Sequence, residues 1–339
     1  MLKRIISRFI ALVVLAVVLA GAGGIYYRWG LQPADLHGQA RLVYVPQQQG
    51  IWALASVLRQ EGIVRSAPIF YAAYRQYLRS DGATDLPGSY FDLSPAQSVH
   101  ELIHERLREP ATRRVTFPEG FTLEQMAERL AQTDLMISKQ AFLQVAKAYE
   151  SSNSLPFRLP EGDLEGYLFP ATYEFQVGSQ ASDIVAEMLG GFDMRFYSPN
   201  RQGIRSSRYS LHELVTIASL IEREARVDGD RRLISSVIHN RLERGMRLQI
   251  DATVQYALPE HKPRLMNSDL KVKSPYNTYL HSGLPPGPIC NPGLACLEAA
   301  LNPATTDYLF YVARGDGSHV FTRTYAEHLQ AIRSVRGGR

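Results

Sequence analysis

The sequence is poor in cysteine, in net charge and in long apolar runs, and each shortage excludes a class of protein. Its 339 residues include only two cysteines, so a hydrophobic core rather than a set of disulfides must hold the fold. Cys290 and Cys296 could close one short disulfide loop in an oxidising compartment, or both could be buried thiols. The net charge is only +4 and no long run of Lys or Arg occurs, so no nucleic-acid partner is expected.

The N-terminal region contains the one long apolar run, Phe9 to Tyr27, which has 19 uncharged residues. A helix needs about 20 such residues to cross a bilayer. Basic residues between Lys3 and Arg8 precede the run, so residues 1–8 are predicted to stay in the cytoplasm and the remainder to be exported. A cleaved signal peptide is the alternative, because Ala20-Gly21-Ala22 imitates a cleavage site. The run is longer than the apolar part of a signal peptide, which favours a retained single-pass anchor.

Three segments between about 40 and 150 share a strand-like pattern followed by a helical one. In each, a short apolar run ends near a proline, and a leucine follows that proline by twelve residues. The segments are Leu42–Pro46 with Leu58, Tyr90–Pro95 with Leu107, and Val115–Pro118 with Leu130. Because proline ends a strand and is tolerated where a helix begins, the region is predicted to consist of strand–helix units. Such units resemble LysM-type glycan-binding modules, a likeness of fold that does not establish binding.

His100-Glu-Leu-Ile-His104 matches the HExxH zinc motif, which on a helix places two imidazoles on one face beside a glutamate base. The motif lies on the helix of the second strand–helix unit. The equivalent positions of the other two units, 51–55 and 123–127, offer no comparable pair of histidines. An ordinary amphipathic helix explains the motif more simply, and no metal or other cofactor is expected. A zinc metalloprotease using His100 and His104 is the less favoured alternative.

Glu222 lies where a helix should present only apolar side chains. The segment 209–225 is predicted to be a helix that begins with a capping box of Ser210 and Glu213. At about 100° per residue, Glu222 is the only charged member of an otherwise apolar arc. That arc contains Leu211, Leu214, Val215, Ala218, Ile221 and Ala225. A carboxyl group there either pairs with a cation, for which Arg241 or Arg247 is available, or serves as a general acid.

The sequence after Glu222 predicts a further helix, two loops, a hairpin and a closing helix. The loops are rich in Pro, Tyr and Asn, residue types that suit both turns and contacts with sugars. The predicted elements are a helix at about 230–244 ended by Gly245, loops at 274–279 and 283–289, a β-hairpin of 308–313 with 319–322, and a helix at 325–335.

Several motifs in the second half resemble, in order, those of the MltG (YceG-like) family. They are Leu164–Tyr173, Ala218–Ala225, Ser236–Leu242, Gly245–Val254, Ser274–Tyr279 and Gly283–Ile289. The resemblance extends over about 40–335. It implies an α+β fold: a membrane-anchored chain with an N-terminal LysM-like α/β module at 40–150 and a C-terminal mixed α+β catalytic domain at 160–335.

The resemblance implies an endolytic murein transglycosylase of the inner membrane, with its catalytic domain in the periplasm. Such enzymes cut the MurNAc–GlcNAc β-1,4 bond of nascent peptidoglycan strands, leave 1,6-anhydroMurNAc ends and limit glycan elongation. Cell-wall synthases are conceivable partners. The resemblance assigns catalysis to Glu222. The residues expected to contact or shape the glycan groove are Asn240, Gln249, Asp251, Thr253, Tyr256, Asn277, Thr278 and Tyr279.

Two other carboxylates are candidates to assist Glu222. Glu224 lies about 160° from Glu222 around the helix and should not share its cleft. Asp251 belongs to a loop motif and could line the site, in which case a muramidase that uses water becomes plausible. The alternative to an enzyme is a membrane-tethered peptidoglycan-binding scaffold in which Glu222 is only structural.

Overall fold

The computed structural model describes residues 2–47, 50–81, 88–149, 155–160 and 162–337. Helices and strands are mixed along the chain, which confirms the predicted α+β class. The chain packs as two compact units, Met1–Arg113 with Gln176–Gly178, and Arg114–Phe175 with Ser179–Arg339. The predicted domain limits of 40–150 and 160–335 stay a prediction.

Within its described residues, the first unit combines four helices with a two-stranded sheet. Its elements are α1 (Leu2–Leu31), β1 (Arg41–Val45), α2 (Gly50–Gln60), α3 (Ala67–Asp81), β2 (Ser89–Leu93) and α4 (Val99–His104), followed by a 3-10 turn at Arg106–Arg108. The strands pair antiparallel, with Val43 opposite Phe91. A two-stranded sheet is marginal alone, and buried side chains of α2, α3 and α4 form one core with it.

Helix α1 extends beyond the predicted span of 9–27 at both ends. Its stretch Lys3–Leu31 is long and apolar enough to cross a membrane, with a mean hydropathy of 2.6 in its most apolar part, none of which is buried. The end of the helix packs on the first unit. There the hydroxyls of Tyr26 and Ser66 lie 3.2 Å apart, and Gly30 leaves no room for a side chain beside Ile69.

The second unit is built mainly from helices. Its helices are α5 (Leu123–Ala131), α6 (Lys139–Lys147), α7 (Ala181–Phe192), α8 (Ser198–Ser206), α9 (Leu211–Glu224), α10 (Arg231–Glu243), α11 (Asp251–Ala257), α12 (Leu294–Leu301) and α13 (Tyr325–Gly337). Its strands are β3 (Thr112–Thr116), β4 (Thr172–Gln176), β5 (Phe310–Ala313) and β6 (His319–Thr322). A π-helical turn at Asp193–Tyr197 joins α7 to α8, and 3-10 turns occur at Asp228–Asp230 and Asp269–Lys271.

Local patterns predict several of these elements well. Each of the three repeated segments is a strand followed by a helix (β1–α2, β2–α4 and β3–α5), and Leu58, Leu107 and Leu130 are all buried. The predicted hairpin is β5 paired antiparallel with β6. Gly245 has the positive φ of 65° expected of a glycine that follows a helix.

Candidate active site

Helix α9 positions Glu222 at the edge of the second unit's core. The predicted capping box is present, with Ser210 and Glu213 each satisfying a backbone N–H of the other. Every residue from Leu214 to Ile221 is buried, since α10, α11 and α12 all pack against this helix. Glu222 follows immediately in the last turn and is only partly buried. A largely buried helix therefore ends with the Glu222 carboxyl at a position that solvent can reach.

The contacts of Glu222 differ from the ion pair considered above. The backbone N–H of Gly293, the residue immediately before α12, donates to its Oε2 at 2.9 Å. Arg241 donates instead to the carbonyl oxygens of Leu309 and Leu248. Arg247 donates to the carbonyl of Tyr279 at 3.1 Å. Both guanidinium groups therefore bind backbone carbonyls, and Glu222 is held instead by the N–H of Gly293.

A second carboxyl group, that of Glu119, lies beside Glu222. It comes from the turn between β3 and α5. A side chain at Gly293 would collide with the Glu119 carboxyl, and the N–H of the same glycine contacts Glu222. The carboxyl groups of Glu119 and Glu222 are therefore neighbours at Gly293. The pKa of Glu119 is raised by desolvation and by the neighbouring charge of Glu222, while Arg231 opposes the shift.

Asn291 fastens the turn that carries Glu119. Its backbone N–H and its side-chain amide both donate to the carbonyl of Phe121, at 2.8 and 3.0 Å. Its carbonyl accepts from the N–H of Gly120 at 2.9 Å, where a φ of 78° suits glycine. The side-chain oxygen accepts from the N–H groups of Gly166 and Leu168, both at 3.0 Å. The fully buried Asn291 thus connects the turn after β3 and the Leu164–Tyr173 motif to the segment before α12.

Glu165, which belongs to the Leu164–Tyr173 motif, binds both Asn291 and the start of α5. Its Oε1 accepts from the side-chain amide of Asn291 at 2.8 Å, and both carboxyl oxygens accept from the N–H of Leu123 in the first turn of α5. Only 5% of the residue is exposed. Burial raises the pKa of Glu165 to about 8, so at neutral pH this group is mainly a neutral acid.

A cavity of about 480 Å³ opens next to these residues. Its wall includes the acidic Asp163 and Glu165, the basic Arg223 and His261, and the aromatic Tyr256. Arg223 follows Glu222 directly on α9, so the cavity approaches the end of that helix. A mixed polar and aromatic lining of this size suits a sugar better than an apolar ligand.

Glu224 and Asp251 form a separate acidic pair. The Tyr311 hydroxyl donates to Glu224 at 3.1 Å, and the Tyr279 hydroxyl donates to Asp251 at 2.5 Å. Burial raises the pKa of Glu224 to about 7, with a smaller contribution from the charge of Asp251. Asp251 is the first residue of α11 rather than part of a loop. Each of these two carboxyls accepts from a tyrosine hydroxyl and lies near the other, whereas the carboxyl of Glu222 lies beside that of Glu119.

Four of the residues expected at the glycan groove have polar groups that are engaged in holding the fold. The Asn240 amide donates to the carbonyls of Thr306 and Tyr308, both at 2.9 Å. The hydroxyls of Thr253 and Thr278 lie 2.9 Å apart in the core, and the Asn277 amide donates to two carbonyls of its own loop. Their effect on a glycan would be to shape the loops that surround it.

The other four expected residues are partly or fully open to solvent. Gln249 is exposed and has an unusual φ of 51°. Asp251 is exposed, and Tyr279 and Tyr256 are partly buried. The Tyr256 ring packs 4.9 Å from that of Tyr276 at the cavity wall. Direct contact of these four residues with a glycan stays a prediction.

The two cysteines are buried free thiols, which is the second of the arrangements left open. Cys290 donates to the carbonyl of Ser219 on α9 at 3.5 Å. Burial is the main cause that raises the pKa of Cys296, and a hydrogen bond to Glu222 adds to it. The thiol of Cys296 therefore lies against the same carboxyl group that Gly293 contacts.

His100 and His104 lie on α4, exposed, with their rings 4.2 Å apart. The His104 ring also meets Tyr77 edge-on at 4.7 Å. In the ranges that the structure describes, His, Cys, Asp and Glu nowhere form a group of three or more suited to a metal ion. The HExxH motif thus reads as part of an amphipathic helix, with Leu102 and Ile103 buried behind it.

Comparison with known proteins decides the family. The model of the YceG-like family matches residues 43–334. The chain belongs to the YceG-like family. This YceG-like protein is 34% identical over 333 residues to a Bacillus subtilis protein named endolytic murein transglycosylase, with 93% of this chain and 90% of the relative covered.

Two other relatives support the assignment. A Streptococcus pneumoniae protein of the same name is 30% identical over 370 residues; the match covers 96% of this chain and 66% of the relative. The crystal structure of a yceG-like protein from Listeria monocytogenes is 33% identical, with a TM-score of 0.58, and covers 86% of this chain and 99% of the other.

The sequence alone pointed to Glu222 but missed Glu119, Glu165 and Asn291 as its surroundings. Glu119 and Glu165 stand in short Glu-Gly pairs next to predicted turns, which is a weak signal. Asn291 lies between the two cysteines in sequence, and no motif indicated a role for it. Their shared role becomes visible only when the fold brings 118–123, 163–168 and 289–293 together.

Proposed function

We propose that this YceG-like protein is an endolytic murein transglycosylase that cleaves MurNAc–GlcNAc β-1,4 bonds and uses Glu222 as its catalytic acid and base. The observation that carries the proposal is the position of Glu222: a solvent-reachable carboxyl at the end of an otherwise buried helix face, hydrogen-bonded by Gly293. The names of the relatives in Bacillus subtilis and Streptococcus pneumoniae support the same reaction.

One carboxyl group suffices for this chemistry. Protonated Glu222 donates its proton to the glycosidic oxygen as the bond from that oxygen to the anomeric carbon breaks. The 6-hydroxyl of the same MurNAc then attacks the anomeric carbon and gives its proton to the Glu222 carboxylate. The products are an anhydro end and a free 4-hydroxyl, no water is consumed, and Glu222 regains its proton. Because the attacking hydroxyl belongs to the same sugar, proximity replaces a bound water.

The glycan would occupy the cavity that begins at Arg223. Tyr256 offers a face on which a sugar ring can stack, and Asp163 offers an acceptor for hydroxyls. Of the predicted contact residues, Gln249, Asp251, Tyr256 and Tyr279 can act directly. Asn240, Thr253, Asn277 and Thr278 act by holding the loops in place.

The proposed cellular setting is based on α1. Its length and hydropathy suit a single-pass anchor, and the basic residues before it favour a cytoplasmic N-terminus with residues 160–335 in the periplasm. The strand–helix region at 40–150 would act as a LysM-like module that holds glycan strands near the inner membrane. Nascent strands are the substrate, so cell-wall synthases are the natural partners.

The test is mass spectrometry of the ends produced from purified glycan strands by the full-length protein in detergent. Wild type is compared with Glu222→Gln, and with Glu128→Gln as a control for an exposed carboxylate that pairs with Lys139 at 3.0 Å. We expect anhydro ends from wild type and Glu128→Gln, and no cleavage by Glu222→Gln. Ordinary reducing ends would indicate a muramidase. Glycan binding by all three proteins without any cleavage would support the scaffold instead.

A further inference from the structure

The turn at 118–122 brings a second carboxyl group to Glu222 by a specific arrangement of backbone. Gly120 forms the turn, and a Cβ added there would lie 3.5 Å from Cγ of Glu222. The Gly120 carbonyl accepts from Arg223 at 3.5 Å. Residues 119–120 therefore lie along residues 222–223 of α9.

Gly293 is the point at which both carboxyl side chains meet. Its N–H donates to Glu222, and its bare Cα faces the carboxyl of Glu119, where a side chain would collide. Glu119 is an exposed residue, but its carboxyl is desolvated where it lies against Gly293.

The charged and titratable groups around the pair come from four elements. They are Arg223 on α9, Asp228 in the 3-10 turn before α10, Arg231 on α10, and Cys296 on α12. Arg231 binds Asp228 and also contacts the Cys296 thiol, so its charge is shared. Desolvation and then the charge of Glu222 raise the pKa of Glu119, while Arg231 acts in the opposite direction.

Resting on the proposed role of Glu222, we propose that Glu119 is its positioning partner: the two carboxyl groups together hold one proton, and Glu119 keeps that proton in the site for Glu222 to donate. Two carboxylates this close resist losing the second proton, as in other enzymes with paired acids. After donation the pair carries an additional negative charge next to the positive charge that develops on the sugar ring. The attacking 6-hydroxyl then returns one proton to the pair.

The test is the pH dependence of the cleavage rate for the full-length protein in detergent. Glu119→Gln removes one of the two carboxyl groups that share the proton, so the alkaline limb of the rate profile should move to lower pH by about one unit. Activity should fall several-fold at neutral pH and approach wild type in acid. Glu119→Asp keeps the charge and should retain much of the wild-type profile. Glu128→Gln is the matched control and should follow wild type.

Each outcome is decisive. A Glu119→Gln profile that overlays wild type, or that is lowered equally at every pH, overturns the role of Glu119. Cleavage that survives in Glu222→Gln would instead overturn the proposed function. An inactive Glu222→Gln together with a shifted Glu119→Gln profile supports both.

Discussion

The last turn of α9 carries two acidic pairs that differ in the groups around their carboxyls. Glu222 meets Glu119 beside Gly293, with Glu119 exposed and Glu222 partly so. Two residues further along the helix, Glu224 accepts a hydrogen bond from the Tyr311 hydroxyl and lies near Asp251. Burial raises the pKa of Glu224 to about 7, a value that by itself would suggest a general acid.

The comparison teaches that a perturbed carboxyl is not sufficient evidence of catalysis. The pKa of Glu224 is raised by desolvation, and its carboxyl accepts from the Tyr311 hydroxyl, although the residue is only partly buried. Glu222 is partly buried as well, but its carboxyl accepts from the Gly293 N–H and lies beside a second carboxyl, that of Glu119. The groups around each carboxyl therefore identify the candidate acid better than a raised pKa does.

The largest expected difference between the two pairs is in cleavage rate. Glu222→Gln removes the donated proton but keeps an oxygen for the Gly293 N–H, so the rate should fall by about 100- to 10,000-fold. Glu224→Gln should stay within about tenfold of wild type, because its carboxyl only supports the fold. Initial rates of release of glycan ends measure both variants. Equal losses of cleavage rate in the two variants would show that Glu222 and Glu224 do not differ in their roles.

The next difference is in how stability depends on pH. The pKa of Glu224 is raised from its ordinary 4.5 to about 7, so the stability it contributes is complete below pH 4.5 and is lost as the pH rises through 7. Glu224→Gln should abolish this part of the dependence, worth roughly 1–3 kcal/mol. Unfolding midpoints of wild type and variant at pH 5 and pH 8 provide the measurement. A variant as pH-sensitive as wild type contradicts the expectation.

The smallest expected effect concerns the hydroxyl that covers Glu224. Tyr311→Phe deletes a hydrogen bond of 3.1 Å and should cost about 1–2 kcal/mol of unfolding free energy. Because that bond lowers the pKa of Glu224, its loss should also make stability more sensitive to pH between 5 and 8. Cleavage rate should change less than about threefold. A loss of rate comparable with that of Glu222→Gln would show that the second pair takes part in the chemistry.

Much of the fold was open to prediction because its signals are local. The capping box of α9, the turn glycine after α10, and the proline-terminated strands depend on residues close in sequence. Helix α3 was not predicted, since its mixed tyrosines and arginines give little periodic contrast. The start of α11 at Asp251 was read as a loop, because the residues before it have the alternating pattern of an extended segment.

The sequence by itself determined the apolar helix α1, the strand–helix units and the isolation of Glu222 on an apolar face, since each is a repeat of residue types over a few turns or strands. The tertiary structure alone decided what surrounds Glu222. Asn291 and Glu165 are 126 positions apart and hydrogen-bond directly, and Asn291 also hydrogen-bonds the turn that brings Glu119 to Glu222. Contacts between distant segments depend on the whole packing of the chain, and no local pattern of residues encodes them.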